Sequence, residues 1–237
     1  EAYVYFSRKS IRQALLHRCK SYEESLKYVS AEKYISFGGL LEYYGFDENE
    51  RIGIAEKYSL ELKQDYDVAA LATNTQLKTI YDNLCEEIKQ KSKEQDELLL
   101  QYLLQNKMFG KVGIVDIGWK GSMQSYLETY LESHNMDVSL MGFYVGILPN
   151  KTLHGETHGF LYDTNDHELR KKVLCFAGGL ERLFQSLEGS TYGYRKEFGK
   201  IVPVLNAYEY AGSPEIQKCI SKLQDGALDF VKENANC

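Results

Sequence analysis

Apolar residues recur at helical spacing along most of the first hundred positions of the chain. One helix is predicted to begin at Ser7 or Ser10, either of which can cap it, and three short helices are predicted at residues 21–29, 37–44 and 48–58. This block lacks the alternation of apolar and polar residues that is typical of a strand with one buried face. We therefore predict a helical insertion at about residues 21–107.

The longest helical tract covers residues 75–107. Ile80, Leu84 and Ile88 repeat every four residues, and Leu99 resumes this pattern later. Between them, residues 89–97 have no apolar face at all. Two interpretations stay open, because two helices can meet at the polar stretch or one long helix can project into solvent through its middle.

Beyond residue 107 the pattern indicates a parallel sheet. Residues 111–116 form a short apolar run of the type found in a buried strand, residues 122–133 form an amphipathic helix, and residues 138–147 form a second strand. Strand, helix and strand in this order make a βαβ unit, whose right-handed crossover implies a parallel pair.

The rest of the pattern completes an α/β fold that is rich in helix. We predict a first strand at residues 3–6, a helix with a buried apolar stripe at 166–187, a hairpin or edge strands at 192–204, and a last helix that starts at Pro214. The fold class is a small, mostly parallel, Rossmann-like sheet with a helical insertion, and residues 1–237 are expected to form a single domain. Because the chain opens on Glu1 rather than on methionine, we expect a fragment of a longer protein or a processed one.

Composition and charge exclude several classes of protein. Hydrophobic residues make up 43% of the chain and charged residues 26%, which is typical of globular proteins. The net charge of −6 argues against nonspecific binding of duplex nucleic acid. The apolar stretches are far shorter than the ~20 residues of a membrane helix, so we expect no membrane insertion. The five cysteines form no CxxC pair, and we expect free thiols in a reducing cytoplasm.

The stretch with the most candidate chemistry is Val-Asp-Ile-Gly-Trp-Lys-Gly-Ser at residues 115–122. Asp116 lies at the C-terminal end of the predicted strand, Gly118 and Gly121 allow a tight turn, and the next helix begins at Ser122. Ligands of open parallel sheets bind at this edge. The N–H groups at the start of a helix suit a phosphate or a carboxylate. This segment is therefore the predicted ligand-binding loop.

Three side chains of this loop have candidate roles. Lys120 adds a cation for phosphate, and Trp119, the one tryptophan of the chain, offers a flat surface for a base or a sugar ring. Asp116 is the candidate catalytic residue, since its carboxylate can accept hydroxyl groups or hold a divalent ion such as Mg²⁺. In the alternative interpretation Asp116 only caps the following helix and Trp119 packs in the core.

The N-terminal segment repeats the arrangement of strand, polar turn and helix. Ser7 and Arg8 follow the predicted strand at residues 3–6. If this strand is a parallel neighbour of the strand that ends at Asp116, Arg8 and Asp116 meet at one edge of the sheet. Arginine binds phosphate through two parallel hydrogen bonds, so Arg8 is a candidate phosphate ligand. The alternative is a basic turn exposed to solvent.

A metal site is not expected from the histidines. His154 and His158 are separated by Gly155, Glu156 and Thr157 in what is predicted to be a loop, whereas the metalloprotease pattern needs glutamate directly after the first histidine of a helix. The cysteine spacing does not complete a set of four ligands either, so we expect no tightly bound zinc. The chain also has no GxSxG elbow and no cysteine-protease signature.

Three short stretches carry a family resemblance. Residues 5–12 (Tyr-Phe-Ser-Arg-Lys-Ser-Ile-Arg), 115–124 and 142–146 together resemble the C-terminal region of bacterial proteins described as haloacid-dehalogenase-like hydrolases of surface-polysaccharide biosynthesis. The resemblance spans roughly residues 3–194. It implies a hydrolase domain N-terminal to this region, with an Asp-x-Asp/Thr motif that the start of this chain lacks, so phosphatase catalysis is not carried over. The site candidates it implies are Ser7, Arg8, Asp116, Gly118, Trp119, Gly121 and Gln124.

Together these features predict a ligand-binding domain of a polysaccharide-biosynthesis protein, with its catalytic activity left open. The expected ligand is a phosphorylated sugar or a nucleotide-sugar, and the expected protein partner is the hydrolase domain of the same protein or a glycosyltransferase. One alternative is a non-catalytic accessory module whose insertion docks a partner enzyme. Another is a degenerate phosphoribosyltransferase-like domain, in whose phosphate loop Ile117 would replace the second acidic residue and Lys120-Gly121 the threonine-glycine pair.

Overall fold

A computed structural model describes residues 3–29, 33–148, 155–163 and 165–235. The chain is mixed α/β and rich in helix, as predicted. It divides into two compact units, the first made of Glu1–Asn106 with Gly193–Pro203 and the second of Lys107–Tyr192 with Val204–Cys237. The predicted helical insertion falls almost entirely in the first unit, which also contains the first helix.

Helices make up most of the first unit, and their bounds are close to those predicted. Its long and short helices are α1 (Arg8–Leu15), α2 (Tyr22–Leu26), α3 (Phe37–Tyr43), α4 (Glu48–Tyr58) and α5 (Thr75–Gln105), with 3₁₀ helices at Leu16–Arg18 and Val68–Thr73. Strands β1 (Tyr34–Ser36) and β2 (Asp65–Asp67) pair antiparallel. These strands were not predicted, because three residues are too few to show alternation.

Capping side chains set the starts of these helices. Ser7 is the N-cap of α1 and forms a capping box with Ser10, so that both serines named as candidates take part. Asp47 and Glu50 form the same motif at α4. Gly45 follows the C-cap of α3 with a φ of +92°, a backbone conformation that glycine adopts without strain at a helix end.

The polar stretch of α5 packs through hydrogen bonds rather than apolar contacts. The helix is continuous from Thr75 to Gln105, and Ser92 and Asp96 are buried within that stretch. Ser92 Oγ donates to the Gln13 carbonyl at 2.6 Å and accepts from the His17 N–H at 2.8 Å. Asp96 Oδ2 lies 3.4 Å from His17 Nε2. The prediction of a solvent-projecting middle is therefore wrong, because this face contacts α1 and the turn after it.

The segment at residues 3–6 is extended but belongs to no sheet, so the predicted first strand is wrong. The Tyr5 N–H donates to the Tyr102 hydroxyl at 2.9 Å, and the Tyr5 carbonyl accepts from the Tyr194 hydroxyl at 2.8 Å. The side chains of Tyr102 and Tyr194 thus provide the hydrogen bonds that the N–H and the carbonyl of Tyr5 would form with a neighbouring strand in a sheet.

The second unit contains the predicted βαβ unit. Strand β3 (Gly110–Asp116), helix α6 (Ser122–Ser133) and strand β4 (Val138–Gly146) follow one another, and β3 and β4 are parallel. Strand β5 (Glu156–Tyr162) extends the sheet in parallel, in the order β3-β4-β5. Residues 156–158, which were predicted to lie in a loop, are therefore part of a strand.

Among the residues that the structure describes, a helix packs on one face of this parallel sheet and the other face is exposed. Helix α6 packs on the face that carries Leu140, Gly142 and Tyr144, all buried. On the opposite face Val115 and Phe160 are 85% and 87% exposed. Residues 111–116 thus form the predicted strand, but the expected burial is found on one face alone, since no described element packs on the other side of β3.

The C-terminal helices are less buried than predicted. The single helix predicted at residues 166–187 is two helices, α7 (His167–Leu174) and α8 (Ala177–Phe184), and neither has a buried residue. Strands β6 (Thr191–Glu197) and β7 (Lys200–Leu205) form the predicted hairpin region. Helix α9 (Pro214–Asn234) begins at the predicted proline. It packs on α8, where Gln224 Nε2 donates to the Arg182 and Gln185 carbonyls at 2.9 and 2.8 Å.

In the described ranges we find no helix that combines the length and the apolar character required to cross a membrane.

Candidate functional site

Asp116 ends β3 and shapes the turn that follows it. Its Oδ1 accepts a hydrogen bond from the Gly118 N–H at 2.8 Å. A Cβ atom on Gly118 would lie 3.2 Å from both carboxylate oxygens, tighter than an ordinary contact. Glycine at this position therefore allows the chain to turn back over the carboxylate, and the half-buried Asp116 side chain is held in a defined orientation.

Helix α6 begins immediately after this turn without a side-chain cap. Its N-cap is Gly121, which is buried and left-handed with φ 62° and ψ 13° and has no side chain that could cap the first turn. Ser122 is the first residue of the helix, and Lys120 is exposed just before it. The first-turn N–H groups and the positive end of the helix dipole thus suit an anion at this point.

Trp119 is half-buried and fixed by three contacts. Its indole ring is parallel to the ring of Tyr162, with 6.2 Å between the centroids. Its Nε1 donates to Glu181 Oε1 at 2.6 Å, and its carbonyl accepts from the Leu148 N–H at 2.7 Å. Tyr162 is buried, so the indole of Trp119 is the exposed part of this ring pair.

Glycine at position 146 makes room for this pair of rings. Gly146 pairs with Tyr162 across β4 and β5. A Cβ atom on Gly146 would overlap the Tyr162 ring at Cε1 and lie 2.5 Å from its Cζ. The close approach of the ring to the backbone of β4 places Tyr162 against Trp119 at the C-terminal edge of the sheet.

Gln124 links α6 to the sheet and is fully buried, so it is a structural residue rather than an exposed ligand contact. Its Oε1 accepts from the Tyr144 hydroxyl at 2.9 Å, and its Nε2 donates to Glu128 Oε1 at 2.8 Å. Burial raises the pKa of Tyr144, and the Asp116 and Glu128 carboxylates raise it further. The hydroxyl therefore remains a protonated donor at neutral pH.

Ser7 and Arg8 belong to the first unit, whereas the Asp116–Ser122 loop belongs to the second. Ser7 caps α1, and Arg8 is the exposed first residue of that helix. Because residues 3–6 do not form a strand, Arg8 does not follow a parallel neighbour of β3, as the sequence had suggested. A ligand shared by Arg8 and Asp116 remains a prediction from the sequence.

The histidine segment is only partly described, since His154 lies outside the described residues. His158 lies on β5, where its Nε2 is 2.9 Å from Glu156 Oε1 and its ring is stacked on Phe143. Within the described ranges, no three histidine, cysteine, aspartate or glutamate side chains gather as a metal site would require. The expectation of no tightly bound zinc stays a prediction.

Sequence reasoning did not identify Tyr144, Tyr162 or Glu181 as neighbours of the loop. Tyr144 pairs with Asp116 in the sheet register, which the two strand predictions together would have suggested. Tyr162 and Glu181 contact Trp119 from elements that follow the βαβ unit, and no local pattern points to them. Neither a model of a known protein family nor any curated protein matches this chain.

Replacing Gly121 with valine should destabilise the second unit by about 1–2 kcal/mol, because a β-branched residue is strained in the left-handed region. Gly121→Asn is the matched control, since asparagine tolerates this conformation better than other residues, and its cost should be smaller. Urea unfolding followed by Trp119 fluorescence measures both variants. Equal costs for valine and asparagine would show that backbone conformation is not what requires glycine here.

Proposed function

We propose that the Asp116–Ser122 loop binds the phosphate group of a phosphorylated sugar or a nucleotide-sugar. One observation carries this proposal. A left-handed Gly121 starts α6 without a side-chain cap, at the carboxyl end of a parallel strand. Helix starts with this geometry bind phosphate through backbone N–H groups, and ligands of parallel sheets collect at this edge.

The neighbouring side chains support a sugar phosphate rather than a bare anion. Lys120 contributes a positive charge beside the helix start. Asp116, oriented by the Gly118 N–H, would be suited to accept sugar hydroxyl groups or to be a ligand of Mg²⁺, which would neutralise phosphate charge. The half-buried indole of Trp119, with the buried Tyr162 ring parallel to it, offers an apolar surface of the kind on which sugar and base rings pack. Catalysis is left open, with Asp116 as the candidate residue.

The biological setting of this proposal rests on the family resemblance of residues 5–12, 115–124 and 142–146. It favours a role in the synthesis of bacterial surface polysaccharide, beside a hydrolase domain or a glycosyltransferase. Phosphorylated and nucleotide-linked sugars are the building blocks of such synthesis, and they agree with the chemistry of the loop.

Calorimetric titration with inorganic phosphate, glucose 1-phosphate and uridine diphosphate glucose, each with and without Mg²⁺, tests the proposal. We expect at least one sugar phosphate to bind more tightly than inorganic phosphate. Lys120→Ala should weaken its binding about tenfold, the lower end of the effect of a charge-assisted hydrogen bond.

The matched control is Lys111→Ala, which removes an exposed lysine from the opposite end of β3. Its binding should equal that of the unaltered protein. An equal loss of affinity in both variants would mean that Lys120 acts only through the net charge of the protein. If none of the probes bound, the proposal would be contradicted.

A second candidate function is an interaction module without a small ligand. The observation that favours it is the exposed face of the β3-β4-β5 sheet, which carries Val115, Phe143 and Phe160. Large exposed apolar patches mark surfaces that contact other proteins. If all three probes fail to bind, this function becomes the better account of the chain.

A further inference from the structure

The open face of the β3-β4-β5 sheet is unusual for parallel strands. All-parallel sheets are covered by other elements on both faces. Here residues 111, 113 and 115 of β3 and residues 156, 158 and 160 of β5 are all exposed, and Phe143 of β4 is exposed between them. The apolar part of this open face is formed by Val115, Phe143 and Phe160, which lie toward its C-terminal edge.

Helix α9 carries a second exposed apolar surface in the same unit. Ile216, Leu223 and Phe230 are seven residues apart, so they lie along one line of the helix. All three are exposed, and Phe230 is 67% exposed. Gln224, on a neighbouring side of α9, donates to the carbonyls of Arg182 on α8 and of Gln185, the residue that follows α8. We call the line formed by Ile216, Leu223 and Phe230 the α9 stripe.

We propose that two copies of this chain associate reciprocally, with the α9 stripe of each copy packed on the open sheet face of the other. An amphipathic helix is the element that normally covers a parallel sheet. A second copy is the occupant that buries both apolar surfaces at once, whereas any other helical partner would leave the α9 stripe in water. Two such contacts are related by a two-fold axis, which closes the assembly as a dimer.

The dimensions of the two surfaces suit a stable dimer. Three strands spaced about 4.8 Å apart and about 3.3 Å per residue along each strand give a face of about 14 by 23 Å. Helix α9 has 21 residues, and at 1.5 Å per residue it spans about 31 Å, enough to cross this face along its length. The two reciprocal contacts would bury about 1,300 Å² in total, within the range of specific protein interfaces.

Two opposite charge substitutions test this arrangement by sedimentation equilibrium. We expect the unaltered chain to dimerise, and Phe160→Glu on the sheet face and Phe230→Lys on α9 each to weaken the dimer at least about 30-fold, the effect of losing a central interface residue. Both side chains are exposed in a single copy, so the circular dichroism and unfolding midpoint of the monomers should not change. Phe198→Glu, at a 99% exposed position in the hairpin, is the control that should leave the dimer intact.

Mixing the two variants separates this arrangement from its alternatives. A mixture of Phe160→Glu and Phe230→Lys chains should dimerise again, since one contact is native on both sides and the other joins surfaces of opposite charge. If α9 paired with α9, Phe160→Glu would have no effect. If sheet paired with sheet, Phe230→Lys would have none. Either of these results, or an unaltered chain that stays monomeric at high concentration, overturns the proposal.

Discussion

Gly142→Val should destabilise the second unit by about 3 kcal/mol or more. A Cβ atom at this position would overlap Gln124 Oε1 and lie 2.5 Å from Tyr144 Cε2. Overpacking of this kind costs about 1–3 kcal/mol, and breaking the buried Tyr144–Gln124 hydrogen bond adds about 1–3 kcal/mol. Because Trp119 is the one tryptophan of the chain and lies in this unit, its fluorescence during urea unfolding measures the change.

Gly113→Val is the matched control in the same sheet. Gly113 lies on β3 and points to the open face, where a Cβ atom would meet only the exposed Phe143 ring at 3.3 Å. The ring can move, and valine favours strands, so we expect a change within about 0.5 kcal/mol. If both variants lost the same stability, the close packing of α6 on β4 would not be the reason for glycine at position 142.

Ser92→Ala should destabilise the first unit by about 2–3 kcal/mol. Its hydroxyl donates a hydrogen bond to the Gln13 carbonyl and accepts one from the His17 N–H. Alanine would leave both backbone groups without this partner, and a buried polar group without a partner costs about 1–3 kcal/mol. Hydrogen exchange of the α5 amides measures the change in this unit directly, and urea unfolding followed by far-ultraviolet circular dichroism provides a second measurement.

Thr79→Ala is the control on the same helix, since Thr79 is exposed and its hydroxyl donates to the Thr75 carbonyl of its own helix. We expect almost no change in exchange rates from this variant. An equally small effect of Ser92→Ala would mean that the polar contact between α5 and α1 contributes little to stability, and that apolar residues such as Leu99 hold the helices together.

Local signals in the sequence determined the helices and the βαβ unit. The bounds of α4 and α6 are those predicted, because the cap of α4, the glycine before α6 and the apolar spacing of α6 are set by residues within a few positions of one another. For the same reason the Asp116–Ser122 loop could be identified as a strand end, a glycine turn and a helix start. Its proposed ligand remains to be tested.

Contacts between residues far apart in the sequence determined the features that the sequence pattern did not predict. The hydroxyl groups of Tyr102 and Tyr194 replace a strand partner for Tyr5, and Ser92 turns the polar stretch of α5 into a buried contact. Tyr162 and Glu181 fix Trp119 from 43 and 62 positions away in the chain. All of these residues are polar or aromatic. Their partners cannot be inferred from the spacing of residues in the sequence, because hydrogen bonds and ring contacts depend on which helices and strands lie side by side in the fold. The exposed face of the parallel sheet is likewise a property of the tertiary structure, because the sequence pattern does not determine that α6 covers the opposite face and that no described element covers this one.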